Sequence, residues 1–293
     1  MINPNSRYKL RWDMYVMLMM ILAAIFTPWQ LAFINEDTLG WIILNAIIDG
    51  SFFFDIIFTF FTAYFDEVKL VLIYDKKVIA KKYLKFWFWL DLLSIIPFDQ
   101  ILSITSDGGD DYGNVAKFTR VGKLYKMVRM LRMVKMIRLF KDRKKIISNL
   151  DNVLKVGAGY ERLLFFMLGF ILFNHTISCI WIMLASFDES NNWMLALREK
   201  FVDEEGNYII DEYSHGDWYI VALYFVATTV TTVGYGDITP VNNIERFFCN
   251  LLMFIGVISF SFATGALGSI IASSDNAQAR LHEKLLLLNK IKK

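Results

Sequence analysis

Apolar runs of helical length alternate with short polar segments along the 293-residue chain. The runs cover residues 14–33, 41–65, 83–96, 115–140, 163–187 and 247–272. An α-helix needs roughly 20 apolar residues to cross a hydrocarbon core. Each run approaches or exceeds that length except the third, which reaches it only by continuing past Pro97 to Ile104. A further apolar stretch, residues 218–230, is too short to cross and runs directly into Thr231-Thr232-Val233-Gly234-Tyr235-Gly236-Asp237. The pattern predicts an all-α membrane protein with six transmembrane helices and, between the fifth and sixth, a helix that enters the bilayer and turns back as a re-entrant pore loop.

Composition agrees with the pattern. Hydrophobic residues make up 56% of the chain, too many for a soluble domain of this length. Cys179 and Cys249 both fall in apolar runs, which predicts two buried thiols and no disulfide framework. The sequence offers no nucleophile beside a base, no metal-ligand spacing and no nucleotide loop, so an enzyme is not expected, nor is any cofactor beyond permeant ions. Asn174-His175-Thr176 matches a glycosylation sequon, but its place inside a predicted span discounts it.

Charge sets the orientation. Basic residues precede the first span (Arg7, Lys9, Arg11) and fill the second-to-third connection (Lys69, Lys76, Lys77, Lys81, Lys82, Lys85). They also follow the fourth span (Lys141, Arg143, Lys144, Lys145) and the sixth (Lys284, Lys290, Lys292, Lys293). The alternate connections are acidic, above all residues 188–217. Excess Lys and Arg marks the cytoplasmic side. Both termini are therefore expected in the cytoplasm, with the pore loop dipping in from outside. Because the basic runs adjoin membrane spans, they are expected to face lipid headgroups and not nucleic acid.

The fourth span carries a basic residue at every third position: Arg120, Lys123, Lys126, Arg129, Arg132, Lys135, Arg138 and Lys141. Charges in hydrocarbon are costly, so such a row calls for a function. Moving one charge through 100 mV is worth about 2.3 kcal/mol, which makes the row a voltage sensor. The other reading is a basic amphipathic helix on the membrane surface. A moving cationic helix needs countercharges, and Asp49, Asp55 and Asp91 lie in the second and third spans; Phe52 stands one turn before Asp55.

Thr231 to Asp237 reads as a potassium selectivity filter. A dehydrated potassium ion needs stacked rings of backbone carbonyls, and potassium channels supply them from a strand of this sequence type. Gly234 and Gly236 adopt the required backbone angles without a Cβ penalty. Potassium is expected at Thr232, Val233, Gly234 and Tyr235, with Thr231, Gly236 and Asp237 in support. One strand supplies a quarter of each ring, so a tetrameric channel is required, as a homotetramer or as a heterotetramer with related subunits.

At this point the chain resembles the voltage-gated superfamily whose members carry cyclic-nucleotide-binding domains, including ether-à-go-go and plant Shaker-like channels. The resemblance rests on residues 55–64 (DIIFTFFTAY), 85–99 (KFWFWLDLLSIIPFD), 175–181 (HTISCIW), 222–225 (ALYF) and the spacing over 255–271. The pair Phe52 and Asp55 looks like the family's charge-transfer centre. Two departures bear on selectivity. Ether-à-go-go filters usually end Gly-Phe-Gly-Asn, whereas Tyr235 and Asp237 look like the plant and Shaker types. Hyperpolarisation-activated members usually carry Cys where Thr232 stands. The resemblance implies a voltage-gated potassium-selective subunit in a plasma or ciliary membrane. Two alternatives are a weakly selective pacemaker-type cation channel and a regulatory subunit needing longer partners.

The expected organisation is a cytoplasmic segment 1–13, a sensor domain 14–141, a linker 142–162, a pore domain 163–274 with its filter at 231–237, and the start of a cytoplasmic linker helix at 275–293. Asp275 is expected to cap that last helix, with Leu281, Leu285 and Leu288 on one face. It resembles the first helix that leads toward the family's nucleotide-binding domain, and no cyclic nucleotide is expected to bind this chain.

Overall fold

A computed structural model describes residues 1–4, 6–34, 38–66, 71–95, 160–201 and 213–291. They fall into two units, one within Met1–Ile146 and one within Ile147–Lys293. The expected fourth span, with the whole basic row from Arg120 to Lys141, and the expected linker 142–162 up to its last residues lie outside the described residues.

The N-terminal unit is built on two helices, α1 (Arg7–Phe33) and α2 (Leu39–Phe61). Ser6 caps α1, its hydroxyl accepting from the Lys9 amide at 3.3 Å, so the helix begins before the apolar run at residue 14. Pro28 sits buried inside α1, and the helix continues past it to Phe33. Helix-to-helix polar pairs fix an antiparallel arrangement. Gln30 takes a bond from Asn45 at 3.0 Å, Tyr15 bonds Ser51 at 2.8 Å, and Trp12 donates to Asp55 at 3.1 Å. Between them Val16, Met20 and Ala23 of α1 pack on Ile48 and Phe52 of α2.

Where helix was expected to continue to residue 65, α2 ends at Phe61. The chain there turns to strand, β1 (Tyr64–Asp66), paired antiparallel with β2 (Val71–Ile73) with Tyr64 opposite Ile73. Ile2 closes the other side, its amide donating to the Phe61 carbonyl at 2.7 Å and its carbonyl accepting from Ala63 at 3.1 Å. Next come α3 (Lys76–Leu84), capped by Asp75, and α4 (Trp87–Ile95). The expected third span, 83–96, is therefore divided: its first two residues finish α3, a turn covers Lys85 and Phe86, and α4 supplies the rest of its described part. Polar helix α3 holds the junction through cations on ring faces, Lys82 over Tyr64 at 3.8 Å and Lys76 over Phe61 at 5.8 Å.

The C-terminal unit contains α5 (Tyr160–Ala185), α6 (Trp193–Lys200), α7 (His215–Val230) and α8 (Asn243–Ile291). Its organising side chain is Trp181 of α5, fully buried. The indole stacks on Trp193 of α6 at 5.2 Å, Phe225 of α7 at 4.6 Å and Phe248 of α8 at 5.9 Å, so one side chain joins all four helices. Gly256 of α8 lies against the end of α7: a Cβ there would come within 3.1 Å of the Val230 Cα. The two helices meet at that closeness because position 256 has no side chain.

Helix α8 corrects one expectation. It runs unbroken through position 275, so no helix begins there. Residues 273–291 are polar enough to look like a boundary but contain no Gly or Pro, and Ala, Gln, Arg, Leu, Glu and Lys carry the helix on. Among the described residues, four helical segments are long and apolar enough to cross a membrane: Arg7–Phe33, Leu39–Phe61, Phe166–Ala185 and Asn243–Gly265. Several apolar side chains on α8 point outward, Phe254 being 73% exposed, as suits a surface meeting lipid or other protein.

Candidate functional site

Helix α7 is fixed at its start and holds the following segment at its end. At the start, Ser214 and Asp217 form a reciprocal cap, the Asp217 amide donating to the Ser214 hydroxyl at 3.3 Å and the Ser214 amide to the Asp217 carboxylate at 2.8 Å. The Ser214 hydroxyl bond, followed by the backbone bond, holds the Asp217 carboxyl below its ordinary range. At the other end four successive amides fold back on the helix. Thr231 donates to Ala227 at 2.9 Å, Thr232 to Thr229 at 3.1 Å, and Val233 and Gly234 both to the Thr228 carbonyl, at 2.8 and 3.1 Å.

The backbone beyond them is unusual. Thr232 has φ +63°, Gly234 +55° and Gly236 +77°, and among the described residues these are the positive values. Same-sign φ along an extended strand sends successive carbonyls to opposite sides, whereas alternating the sign turns them to one side. Gly234 and Gly236 make that alternation affordable, as expected. Thr232 does not fit the glycine rule: a β-branched residue with positive φ is an outlier that costs about 1–3 kcal/mol and is found where function demands it. The amides it and Val233 give to α7 impose that angle.

A second set of contacts braces the far end of the segment. The Tyr224 hydroxyl of α7 donates to one Asp237 carboxylate oxygen at 2.8 Å, and the Ile238 amide donates to the other at 3.1 Å. Tyr224 also stacks on Tyr235, with ring centres 6.4 Å apart and planes 5° from parallel. Lys200, at the end of α6, donates to the Asp237 carbonyl at 2.8 Å. Thr231, Gly236 and Asp237 were expected as support; Tyr224 and Lys200 were not. Tyr224 was discoverable as an aromatic in the last two turns of the helix that leads into the glycines, but nothing in the sequence points to Lys200. Behind the segment lies a cavity of about 370 Å³ lined by Phe225, Thr228, Thr229, Cys249 and Met253. His175 of α5 is packed, its Nδ1 2.8 Å from the Tyr219 hydroxyl.

The four countercharge positions all fall in the N-terminal unit. Phe52 is fully buried in the α1–α2 core, and Asp49 lies half-buried one turn before it. Asp91 of α4 is buried and accepts from the Tyr83 hydroxyl at 2.5 Å. Asp55 meets α1: Trp12 donates to it, and the buried Lys9 ammonium lies 2.8 Å from Asp13 and 3.8 Å from Asp55. Sequence reasoning missed Lys9 and Asp13, although their spacing of four places them on one helix face. The two carboxylates flank the one buried ammonium and offset the cost of burying it.

The model of a family described as ion transport protein matches residues 8–279. A voltage-gated inwardly rectifying potassium channel of Sus scrofa is 28% identical over 299 residues, covering 96% of this chain and 24% of that relative. The potassium voltage-gated channel protein eag of Drosophila melanogaster is 26% identical over 292 residues, 95% of this chain and 23% of its own length. A voltage-gated delayed rectifier potassium channel of Rattus norvegicus is 29% identical over 299 residues, 95% of this chain and 28% of the relative. The chain thus spans about a quarter of the length of the curated relatives it matches.

Proposed function

Because the chain belongs to the ion transport protein family, we propose that it is a subunit of a voltage-gated, potassium-selective channel. It is an integral membrane protein of the ion-channel kind and not an enzyme. The observation that carries the reading is the alternation of φ sign over Thr232, Gly234 and Gly236 in a segment folded back on the C-terminal end of α7. Four such segments around one axis would present carbonyls from Thr232, Val233, Gly234 and Tyr235 as oxygen rings for dehydrated potassium. The negative end of the α7 dipole, at Val230, would favour a cation below them. Thr231, Gly236 and Asp237 would hold the strand.

Six spans with a re-entrant loop, both termini in the cytoplasm and a plasma or ciliary membrane complete the proposal. The row from Arg120 to Lys141 would move in the membrane field against Asp49, Asp55 and Asp91, with Phe52 as the plug between the aqueous crevices. Potassium is the transported ion; no other cofactor is called for.

The test is the reversal potential of current from the full chain expressed alone, with external potassium exchanged for sodium, over both voltage directions. A shift that follows the potassium gradient supports the reading. Reversal near zero would favour a weakly selective cation channel, and surface tetramers without current would favour a regulatory subunit.

Neutralising Arg129 or Arg132 to Gln should shallow the voltage dependence and leave the reversal potential in place. Each charge removed lowers the electrical work by up to about 2.3 kcal/mol per 100 mV in each subunit. Conductance–voltage curves that superimpose on those of the parent would remove both residues from the sensor.

A further inference from the structure

We propose that Lys200 sets the electrostatic potential at the outer mouth of the pore and thereby limits the rate at which potassium enters. The inference rests on the potassium-channel reading above. It begins with the position of the ammonium. Lys200 Nζ lies 2.8 Å from the carbonyl oxygen of Asp237, the residue that ends the filter segment. A carbonyl is a neutral dipole, so the contact fixes the cation without cancelling its charge. The neighbouring carboxylate is engaged elsewhere, one oxygen with Tyr224 and the other with the Ile238 amide.

The helix that carries Lys200 is anchored along its length. The Asn192 side chain caps it, accepting from the Leu195 amide at 3.0 Å. The Trp193 indole donates to the Trp181 carbonyl at 3.1 Å, and Leu197 is buried. The Arg198 guanidinium lies over the Trp218 ring at 5.5 Å. A lysine in the last turn of a docked helix keeps its stem in place, and the helix dipole favours its charge there. Glu199 beside it is exposed.

By sequence the connection after α6 is acidic, with Asp203, Glu204, Glu205, Asp211 and Glu212. Negative charge close to a pore mouth raises the local cation concentration. Lys200 opposes negative charge from its place on the Asp237 carbonyl, and in a tetramer there would be four such ammonium groups around the axis.

The experiment is the unitary conductance of the full chain and of Lys200→Gln across a range of symmetrical potassium concentrations. At low ionic strength, where the screening length is about 30 Å at 0.01 M, the variant should conduct about twofold more than the parent. Near 1 M, where that length falls to about 3 Å, the two should converge.

Lys200→Cys provides the second measurement, because a thiol at the mouth takes charged methanethiosulfonate reagents after assembly, while Cys179 and Cys249 are buried. The positively charged reagent should return conductance toward the parent value, and the negatively charged one should raise it further. Equal conductance in Lys200→Gln and the parent at every concentration overturns the proposal, as does an equal response to reagents of opposite charge. Either result with potassium-selective parent current leaves the channel reading intact. A parent without potassium selectivity removes that reading, and this proposal with it.

Discussion

Gly236→Ala is expected to abolish potassium-selective current while assembled protein still reaches the surface. The cause is conformational and local. Gly236 has φ +77°, and a Cβ built there meets nothing within 4 Å. No neighbouring atom would forbid the methyl group, so the fold of α7 and α8 should survive. What the methyl changes is the energy of the left-handed backbone, by about 1–2 kcal/mol for an alanine. In the proposed four-subunit pore the cost falls on one ring at a time, so roughly 4–8 kcal/mol opposes the conducting arrangement if each subunit bears it. That is enough to empty it in favour of a strand with its carbonyls turned away. Single-channel recording and surface labelling check the two halves of the expectation. A D-alanine installed at this position by semisynthesis favours positive φ and should restore current. Unchanged conductance in Gly236→Ala would mean that the angle at 236 does not matter to permeation.

The same comparison explains what the sequence could and could not reveal about the site. Gly234 and Gly236 announce left-handed backbone because glycine is the residue that tolerates it. Thr232 gives no such notice. Its positive φ comes from two amides drawn back onto Thr229 and Thr228, a tertiary constraint that overrides the preference of a β-branched residue. Tyr224 was legible as an aromatic at the right helical spacing, but its bond to Asp237 depends on how the segment returns over α7. Lys200 lies 37 residues before its partner, and no local pattern links the two.

Hydropathy located α1, α5 and α7 but missed their starts: each begins in polar residues before its apolar run, at Arg7, Tyr160 and His215, because a cap or a polar first turn extends a helix that hydropathy does not mark. Helices were misread where hydropathy and backbone preference disagree. At residues 62–65 the chain is still apolar, but Thr, Ala, Tyr and Phe find strand partners in Ile2 and in β2, so helix stops early. At residues 273–276 it turns polar, yet nothing there breaks a helix and α8 continues. In the N-terminal unit Asp55 was recognised as a carboxylate needing a cation. Among the described residues the cation beside it is Lys9 of α1; the basic row lies outside them.

Glu245 is the residue whose loss should cost the C-terminal unit most. Its side chain is fully buried at the start of α8. One carboxylate oxygen accepts from the Trp193 amide at 3.1 Å, and the other from the Val241 amide at 2.8 Å and the Asn242 amide at 3.4 Å. Asn242 returns a bond, its side-chain oxygen accepting from the Glu245 amide at 2.9 Å, which completes a reciprocal cap. A single anion therefore serves two helix N-termini, those of α8 and α6, where both dipoles favour negative charge. Glu245→Ala leaves the amides of Trp193, Val241 and Asn242 without their acceptor. Hydrogen bonds to a charged group contribute about 1.5–3 kcal/mol each, so even partial relaxation leaves a loss of several kcal/mol per subunit. Glu245→Gln should fail nearly as badly, because its amide keeps one accepting oxygen and turns an NH₂ toward groups that can only donate. Trp193 would then lose its hold at the start of α6, and with it the stack on Trp181 and the placement of Lys200 on the Asp237 carbonyl. The expected results are poor surface expression and a clearly lowered unfolding temperature for the purified protein in detergent. In whatever Glu245→Gln channels do assemble, conductance at low ionic strength should shift in the direction expected of Lys200→Gln. Parent-like thermal stability in both variants would show that the buried carboxylate is not what joins α6 to α8.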